Sequence, residues 1–223
     1  MQNLINSVTK NGDTLVEYAV SHGATEYPDA LDSNYQWLQS YLGAGLIYYT
    51  LAYTFLARVC VCIGSGGGLV PSMMRQAQRD INFPLSANDV TILIDADLAQ
   101  GYGDHSNTHW IRQPDHIFNI NYPEVVRLVK LSKEAVKDIN RPIDYLHLDG
   151  DHSYAGVKLD FDLYSELLSA NGIITLHDSS NQTYGVSQLI QELRLADSYD
   201  IMELPPLKYY QEFDGLTILR MRG

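Results

Sequence analysis

Two apolar segments of this chain end in acidic residues and histidines. Residues 145–148 are followed directly by Asp149, with His152 three positions later, and a later apolar run ends in His177 and Asp178. In open α/β sheets, ligands bind beyond the carboxyl ends of the parallel strands. Carboxylates and imidazoles at such an edge suit two kinds of chemistry. One is proton transfer by a histidine that titrates near neutral pH, and the other is binding of a divalent cation by oxygen ligands.

Ordinary structural roles compete with these chemical ones. The Asp-Gly pair that follows the strand also fits a plain turn. Asp151 suits a turn or a helix N-cap better than ligand binding. For His152 the alternative is to cap the next helix or to pack on Tyr154, and for His147, in the middle of the strand, a hydrogen-bonded core histidine is favoured.

A glycine-rich turn follows an earlier apolar strand. Residues 64–68 read Gly-Ser-Gly-Gly-Gly and precede a helical pattern. Glycines there permit positive φ and close approach of a ligand to the backbone, and the helix start adds unpaired N–H donors. No Lys-Ser/Thr pair follows, which excludes a P-loop, and Leu69 occupies the third glycine position of the dinucleotide fingerprint. A plain tight turn is the alternative.

The strand after the glycine turn ends in two carboxylates, Asp95 and Asp97. A carboxylate at this point can accept hydrogen bonds from both hydroxyls of a ribose. We assign Asp95 to the ribose because it lies nearer the strand end, with Asp97 in reserve. The alternative makes one of them a turn or helix cap.

Strand and helix patterns alternate from residue 58 onwards, which predicts a mostly parallel sheet with helices on both faces. Strands are predicted at residues 58–64, 90–97, 116–120, 143–149 and 173–178, with two more in the tail after residue 200, and helices at residues 46–57, 70–80, 124–139, 156–172 and 185–193. The fold class is therefore α/β, a doubly wound, mostly parallel, seven-stranded sheet. We place an N-terminal helical extension at residues 1–57 and the main domain at residues 58–223.

Composition limits the partners. The chain carries 27 acidic and 15 basic residues, a formal charge of −12. Phosphate contacts need clustered Lys and Arg, so we expect neither nucleic acid nor an anionic membrane surface as a partner. The two cysteines, Cys60 and Cys62, have no further thiols with which to bind a metal, and burial as small apolar residues is favoured. With no evident signal peptide, we expect a cytoplasmic protein.

The order of these motifs resembles that of class I S-adenosylmethionine (SAM)-dependent methyltransferases. It is most similar to the small-molecule O-methyltransferases of the methyltransferase 24 type, in which one strand ends HLDGDHSY and a later one ends HD. The matching segments are CIGSGGG, LIDAD, YLHLDGDHSYAGVKLDFDLYSELLSANG and IITLHDSS, and the resemblance spans about residues 58–222. One position departs: many relatives carry Glu in the first strand where this chain has Cys62.

The resemblance implies a role for each motif. The expected contacts with SAM are Gly64, Ser65, Gly66, Gly68, Asp95 and Asp97, with Asn119 or Asn121, after the third strand, near the adenine edge. The candidates for holding Mg²⁺ or another divalent metal are Asp149, His177 and Asp178. The candidate catalytic pair is His152, as general base, with Asp149. The expected reaction is methyl transfer to a hydroxyl of a small molecule or sugar.

Two other functions stay open at this point. One is an NAD(P)-dependent oxidoreductase that uses the same glycine turn, although the chain lacks a recognisable Tyr-x-x-x-Lys pair. The other is a non-catalytic, nucleoside-binding module of methyltransferase shape. The sequence leaves the oligomeric state open, a homodimer included.

Overall fold

The computed structural model describes residues 45–64, 68–81, 88–96, 109–112, 114–206 and 214–222. Its strands are β1 (Val59–Ile63), β2 (Val90–Asp95), β3 (Val126–Val129), β4 (Ile143–Leu148), β5 (Leu168–His177), β6 (Tyr199–Leu204) and β7 (Leu216–Met221). Its helices are α1 (Gly45–Thr54), α2 (Leu69–Asp80), α3 (His109–Arg112), α4 (Ile117–Asn121), α5 (Ser132–Ala135), α6 (Tyr154–Ser165) and α7 (Gly185–Ala196), and a 3₁₀ turn covers Val136–Asp138.

The seven strands form one sheet in the order β3-β2-β1-β4-β5-β7-β6. Strands β1 to β5 run parallel, and β7 pairs antiparallel with both β5 and β6. The order reverses at β1, which lies between β2 and β4. The predicted doubly wound, mostly parallel, seven-stranded sheet is thus confirmed, and β1 is an interior strand with a parallel neighbour on each side.

Two predicted elements around the third strand are wrong. The segment at residues 116–120, predicted as a strand, contains most of helix α4, and residues 124–139, predicted as one amphipathic helix, hold strand β3, helix α5 and the 3₁₀ turn. Tertiary contacts, rather than local sequence patterns, determine the secondary structure of both segments. Phe118 of α4 is fully buried with its ring against Gly68. Residues Val126–Val129 pair in parallel with β2, which outweighs their helix-like spacing.

The helix predicted at residues 156–172 is shorter and starts earlier. Its N-cap is Ser153, whose hydroxyl accepts a hydrogen bond from the Gly156 amide, and it ends at Ser165. Residues 168–172 belong instead to β5, where they extend the sheet beside β4. Gly172 is needed within that strand, because a Cβ there would lie 2.8 Å from the carbonyl oxygen of Ile143.

The sheet divides the core into two layers. Cys60 and Cys62 of β1 face the layer that contains α1 and α2, and Val61 and Ile63 face the layer that contains α6 and α7. Both cysteines are free and buried, as predicted. Tyr48 of α1 is buried in the first layer, so α1 shares the core of the sheet domain. The division at residue 57 stays a prediction, and residues 1–44 lie outside the described residues.

No helix in the described part of the chain has the length and apolar character needed to cross a membrane.

Candidate functional site

The candidate site lies where the carboxyl ends of neighbouring strands meet. Ile63 of β1 is in register with Ile94 of β2 and with Leu148 of β4, and Leu148 is in register with Leu176 of β5. The next residue on each strand is therefore at the same level. One row across four adjacent strands therefore contains Gly64, Asp95, Asp149 and His177. The order of motifs in the sequence predicts this arrangement of strand ends.

Asp149 is the centre of this row on the β4 side. Its Oδ1 lies 3.2 Å from Nε2 of His152 and 3.3 Å from Nδ1 of His177. Burial alone would raise the pKa of Asp149, but the charge of His177 and the contacts of the carboxylate with His147, His152 and His177 hold that pKa well below its usual range. Asp149 is therefore ionised throughout the neutral range.

Asp178 brings a second carboxylate to the same place. Its Oδ1 lies 2.9 Å from Nδ1 of His177, and its Oδ2 lies 3.5 Å from Nε2 of His152. The backbone of Asp178 is left-handed, with φ of 54°, a conformation uncommon outside glycine. This turn brings the carboxylate at the end of β5 back toward β4.

The two carboxylates change the protonation of both histidines. Burial opposes a charge on His177, but the charge of Asp149 and hydrogen bonds to Asp149 and Asp178 raise its pKa to about 10. The hydrogen bond to Asp149 raises the pKa of His152 as well, against the lowering effect of burial. His177 thus balances one of the two carboxylate charges, and His152 is a stronger base than a free imidazole.

The chain after β4 fixes the position of His152. The carbonyl of His152 accepts a hydrogen bond from the Gly185 amide at 2.8 Å, and its ring stacks on Tyr184 with 4.6 Å between centroids. Asp151 is a turn residue, since its carboxylate accepts a hydrogen bond from the Ser153 amide. The side chain of His152 remains about a quarter exposed, so an acceptor can reach it.

Gly64, the first residue of the glycine-rich segment, lies directly beside Asp149. It has φ of 73°, and a Cβ placed on it would lie 1.9 Å from the carbonyl oxygen of Asp149. Gly68 has φ of 89°, and its Cβ would lie 2.8 Å from the ring of Phe118. Gly64 therefore lies against the acid cluster, whereas the Cα of Gly68 packs against a core side chain. Ser65 and Gly66 lie outside the described residues.

The predicted ribose and adenine contacts are only partly described. Asp95 ends β2 and is partly exposed in the row of strand ends, and Asp97 lies outside the described residues. Asn119 lies in α4, ahead of β3 rather than after it, and its side-chain amide donates a hydrogen bond to the Trp110 carbonyl. The expectation that Asn119 follows the third strand is wrong, because α4 occupies the predicted strand.

Two neighbours of the cluster were not singled out from the sequence for roles at the site. His147, two residues before Asp149 on β4, shares its face of the sheet, and its Nε2 lies 3.9 Å from Oδ2 of Asp149. The two-residue period of a strand was a usable signal for this contact. Tyr184, against His152, is far along the chain and gave no signal.

This arrangement can do two things chemically. His152 can accept a proton from a group in the crevice and share it with two carboxylates. In the described residues, Asp149, His152 and Asp178 also offer one ligand atom each, all within 4.8 Å of one another, to a metal ion. His152 and the three candidate metal ligands lie at the same edge of the sheet as Gly64 and Asp95, where a nucleoside-bearing ligand would bind.

Comparisons with known proteins bear on the family and the fold. A family model described as a methyltransferase domain matches residues 61–179. An O-methyltransferase from Bacillus cereus, solved with S-adenosylhomocysteine (SAH), is 16% identical, with a TM-score of 0.64 over 94% of this chain and 91% of that chain. An O-methyltransferase from Streptomyces achromogenes involved in tomaymycin synthesis, solved with SAM, is 14% identical, with a TM-score of 0.63 over 95% and 91%.

A methyltransferase from Podospora anserina, solved with SAH, is 18% identical, with a TM-score of 0.62 over 94% of this chain and 88% of that chain. Comparison with curated protein sequences finds no match. At these identities the solved structures establish the fold, and the matched segment of 119 residues, more than half of the 223, establishes the family.

Proposed function

The chain belongs to the methyltransferase-domain family, a group of SAM-dependent enzymes, and we propose that it transfers the methyl group of SAM to a hydroxyl of a small molecule or sugar. The observation that carries this proposal is the position of His152. Its Nε2 lies 3.2 Å from Asp149 and 3.5 Å from Asp178, beside the glycine turn and at an accessible edge of the sheet. An acceptor hydroxyl needs such a base, because near its usual pKa it is a poor nucleophile at pH 7.

The chain's own residues account for the proton. SAM, when bound, supplies the methyl group from its sulfonium, so that the S–CH₃ bond breaks as the O–CH₃ bond forms. Because Nε2 of His152 faces the two carboxylates and donates its proton to them, His152 takes the proton of the acceptor hydroxyl on its other ring nitrogen, Nδ1. Asp149 and Asp178 stabilise the resulting imidazolium, and the products are SAH and a methyl ether.

His177 has a separate task in this scheme. It lies between the two carboxylates and its pKa is raised to about 10, so it carries a positive charge at neutral pH. That charge offsets one carboxylate and limits the raised pKa of His152.

The cluster also fits a divalent cation, which supports an alternative, metal-assisted reaction in which His152 is a metal ligand and the cation activates the acceptor hydroxyl in its place. Asp149, His152 and Asp178 supply the donors, and His177, the third ligand implied by the resemblance, instead lies at hydrogen-bond distance from a carboxylate. The imidazole donor favours Mn²⁺, Fe²⁺ or Zn²⁺ over Mg²⁺. A cation here would lower the pKa of an acceptor hydroxyl.

Other details of the proposal rest on general features. The acidic chain, with a charge of −12, favours a small-molecule or sugar acceptor over nucleic acid. Two of the structurally similar proteins are O-methyltransferases by name, which supports oxygen as the methylated atom. Asp95 remains the proposed ribose contact, with Gly64, Ser65 and Gly66 at the methionine end of the cofactor.

Calorimetric titration of the full chain with SAM, SAH and NADH tests the cofactor. We expect SAM and SAH to bind and NADH to show no heat. A screen of phenolic, catecholic and glycoside hydroxyls then follows SAH release, with Mn²⁺, with Mg²⁺ and with a chelator. NADH binding in place of SAM, or methylation confined to amine or thiol acceptors, would contradict the proposal. Equal rates with metal and with chelator would remove the cation from it.

A further inference from the structure

Asp160 is a buried carboxyl group for which the scheme above has no use. It lies in the middle of α6 and is only 4% exposed. Burial of a carboxyl group is costly unless other groups hold it, and its two oxygens contact two different segments. Oδ1 accepts a hydrogen bond from Ser132, and Oδ2 lies against Gly150. Because these segments follow β3 and β4, Asp160 lies between two strand ends of the candidate site.

The first contact holds the segment that follows β3. The hydroxyl of Ser132 donates to Oδ1 of Asp160. The hydroxyl of Tyr164, one turn further along α6, donates to the carbonyl of Ser132 at 2.8 Å. Helix positions four apart lie on the same face, so one face of α6 binds both the side chain and the backbone of Ser132. Ser132 is therefore held in one position relative to α6.

The position of Ser132 matters because its segment borders the proposed cofactor crevice. Strand β3 ends at Val129, which is in register with Asp95 at the end of β2. Residues 130–132 therefore continue beyond the carboxyl end of β3, beside the proposed ribose contact. Ligands of open α/β sheets lie beyond these strand ends, so this segment borders the nucleoside end of the crevice.

The second contact supports the residue that follows Asp149. A Cβ placed on Gly150 would lie 3.2 Å from Oδ2 of Asp160 and 3.3 Å from Cγ2 of Ile63. Both distances are shorter than ordinary van der Waals contact, so the backbone of Gly150 packs directly between the carboxylate of α6 and β1. Asp160 is thus a support beneath the turn that carries Asp149.

We infer that Asp160 is a positioning residue that holds the segment after β3 and the turn after β4 at a fixed separation, and so aligns the nucleoside end of the crevice with the acid cluster. The inference rests on the proposed function, because a ligand that spans both ends, as SAM does, needs that alignment. The methyl carbon must lie about 3 Å from the acceptor oxygen and in line with it. A shift of either segment would therefore lower the rate.

The first test uses the full chain without any ligand, so its result stands whether or not the chain methylates hydroxyls. Proton–nitrogen NMR spectra give the backbone amide signal of Gly150. Ser132→Ala removes the donor to Oδ1 of Asp160, and because Gly150 contacts the other oxygen of the same carboxylate, its amide signal should move. In an Asp160→Leu background, which has no carboxylate, Ser132→Ala should leave that signal in place. A Gly150 signal that does not respond to Ser132→Ala, or that responds equally in both backgrounds, would overturn the inference.

Two further variants separate positioning from a general loss of stability. Ser169→Ala is the matched control, because it also removes a hydrogen bond from a serine to an aspartate, Asp144, but at the opposite end of β4. It should leave the Gly150 signal in place, and an equal movement there would overturn the inference. Ser132→Thr keeps the hydroxyl and should restore the wild-type signal. If Asp160→Leu does not fold, Ser132→Ala and Ser132→Thr decide, and equal Gly150 signals in the two would overturn the inference.

Calorimetric titration with SAM tests the consequence for the cofactor. We expect Ser132→Ala to weaken SAM binding about fivefold, the effect of one lost hydrogen bond, and Ser132→Thr and Ser169→Ala to stay within about twofold of the wild type. Unchanged affinity in Ser132→Ala would overturn the alignment of the two ends, even if the Gly150 signal moves. Absence of SAM binding by the wild type would instead contradict the proposed function, and the ligand-free spectra would then decide whether Asp160 links the two segments.

Discussion

Single residues at this site do work that depends on partners from other strands. Asp149 touches histidines from β4, from the end of β5 and from the turn after β4. His152 depends in turn on two carboxylates and on the face of Tyr184. Because each group is held by several others, removal of one side chain should affect the reaction more than the fold.

Replacement of His152 by Ala tests that separation. With the general base gone, turnover should fall by roughly 10²–10⁴-fold, while the affinity for SAM, measured by calorimetry, should stay within about threefold, since His152 is not a proposed cofactor contact. Tyr184→Leu, which removes the stacked ring but keeps the imidazole, is the graded control and should lower turnover less. Unchanged turnover in the alanine variant would remove His152 from the mechanism.

Replacement of Gly64 by Ala tests the close approach of the glycine turn to Asp149. A side chain there meets the Asp149 carbonyl at 1.9 Å and must adopt φ of 73°, so we expect a loss of about 2–4 kcal/mol in unfolding free energy. Gly45→Ala in α1 is the matched control, because its Cβ would make only ordinary contacts at 3.7 Å. It should be neutral or stabilising by up to about 1 kcal/mol. Equal melting temperatures would contradict the geometry.

Elements were predictable from the sequence where local pattern and sheet context agree. Strands β1, β2 and β4 are apolar runs that end in glycine or aspartate, and their ends hold the candidate site as expected. Strand β3 was missed because its register depends on β2 rather than on its own spacing. The position of Asn119 was wrongly predicted for the same reason, because tertiary contacts place it in α4. The contact of His152 with Tyr184 joins segments that are distant in the chain, so no local sequence pattern indicates it.

Helix α6 contains a buried carboxyl group that should make the stability of the protein depend on pH. Asp160 of α6 is buried and accepts a hydrogen bond from Ser132 of α5. Burial raises its pKa to about 6, with a further contribution from Asp151. The native state therefore keeps this proton longer than the unfolded chain does, so its contribution to stability is lost as pH rises from about 4 to about 6.

Asp160→Asn should remove this pH dependence. Relative to the wild type, the variant should gain about 1–2 kcal/mol of stability between pH 5 and pH 8, read from melting temperatures at the two values. The control is Asp162→Asn on the same helix, which deletes a surface ion pair with Lys158 worth less than about 1 kcal/mol. A wild type and an Asp160→Asn variant with parallel pH profiles would show that Asp160 ionises normally.

At the scale of the whole molecule, the interior strand β1 couples the site to global stability. Strand β1 lies between β2 and β4, and its side chains fill both core layers. The residue after it, Gly64, begins the proposed cofactor turn. Opening of β1 would therefore disrupt the core and the cofactor site together. We expect unfolding of the core and loss of the cofactor site to occur in one step.

The two buried cysteines of β1 report that step directly. Burial raises the pKa of both thiols well above the usual range, and only an exposed thiolate reacts quickly with a disulfide reagent. We expect no labelling of the folded chain within minutes at pH 8 and two thiols per chain in denaturant. Slow labelling of the folded chain then measures the population of opened molecules.

Binding of SAM should lower the rate at which the thiols of the folded chain are labelled. If SAM binds only the folded chain, then at about 100 times its Kd it should slow labelling about 100-fold, and NADH should not. The single variants Cys60→Ala and Cys62→Ala show whether the two thiols open together. Fast labelling of Cys62 alone, insensitive to SAM, would mean that the end of β1 opens locally, and then the glycine turn would not be tied to the core as the strand order indicates.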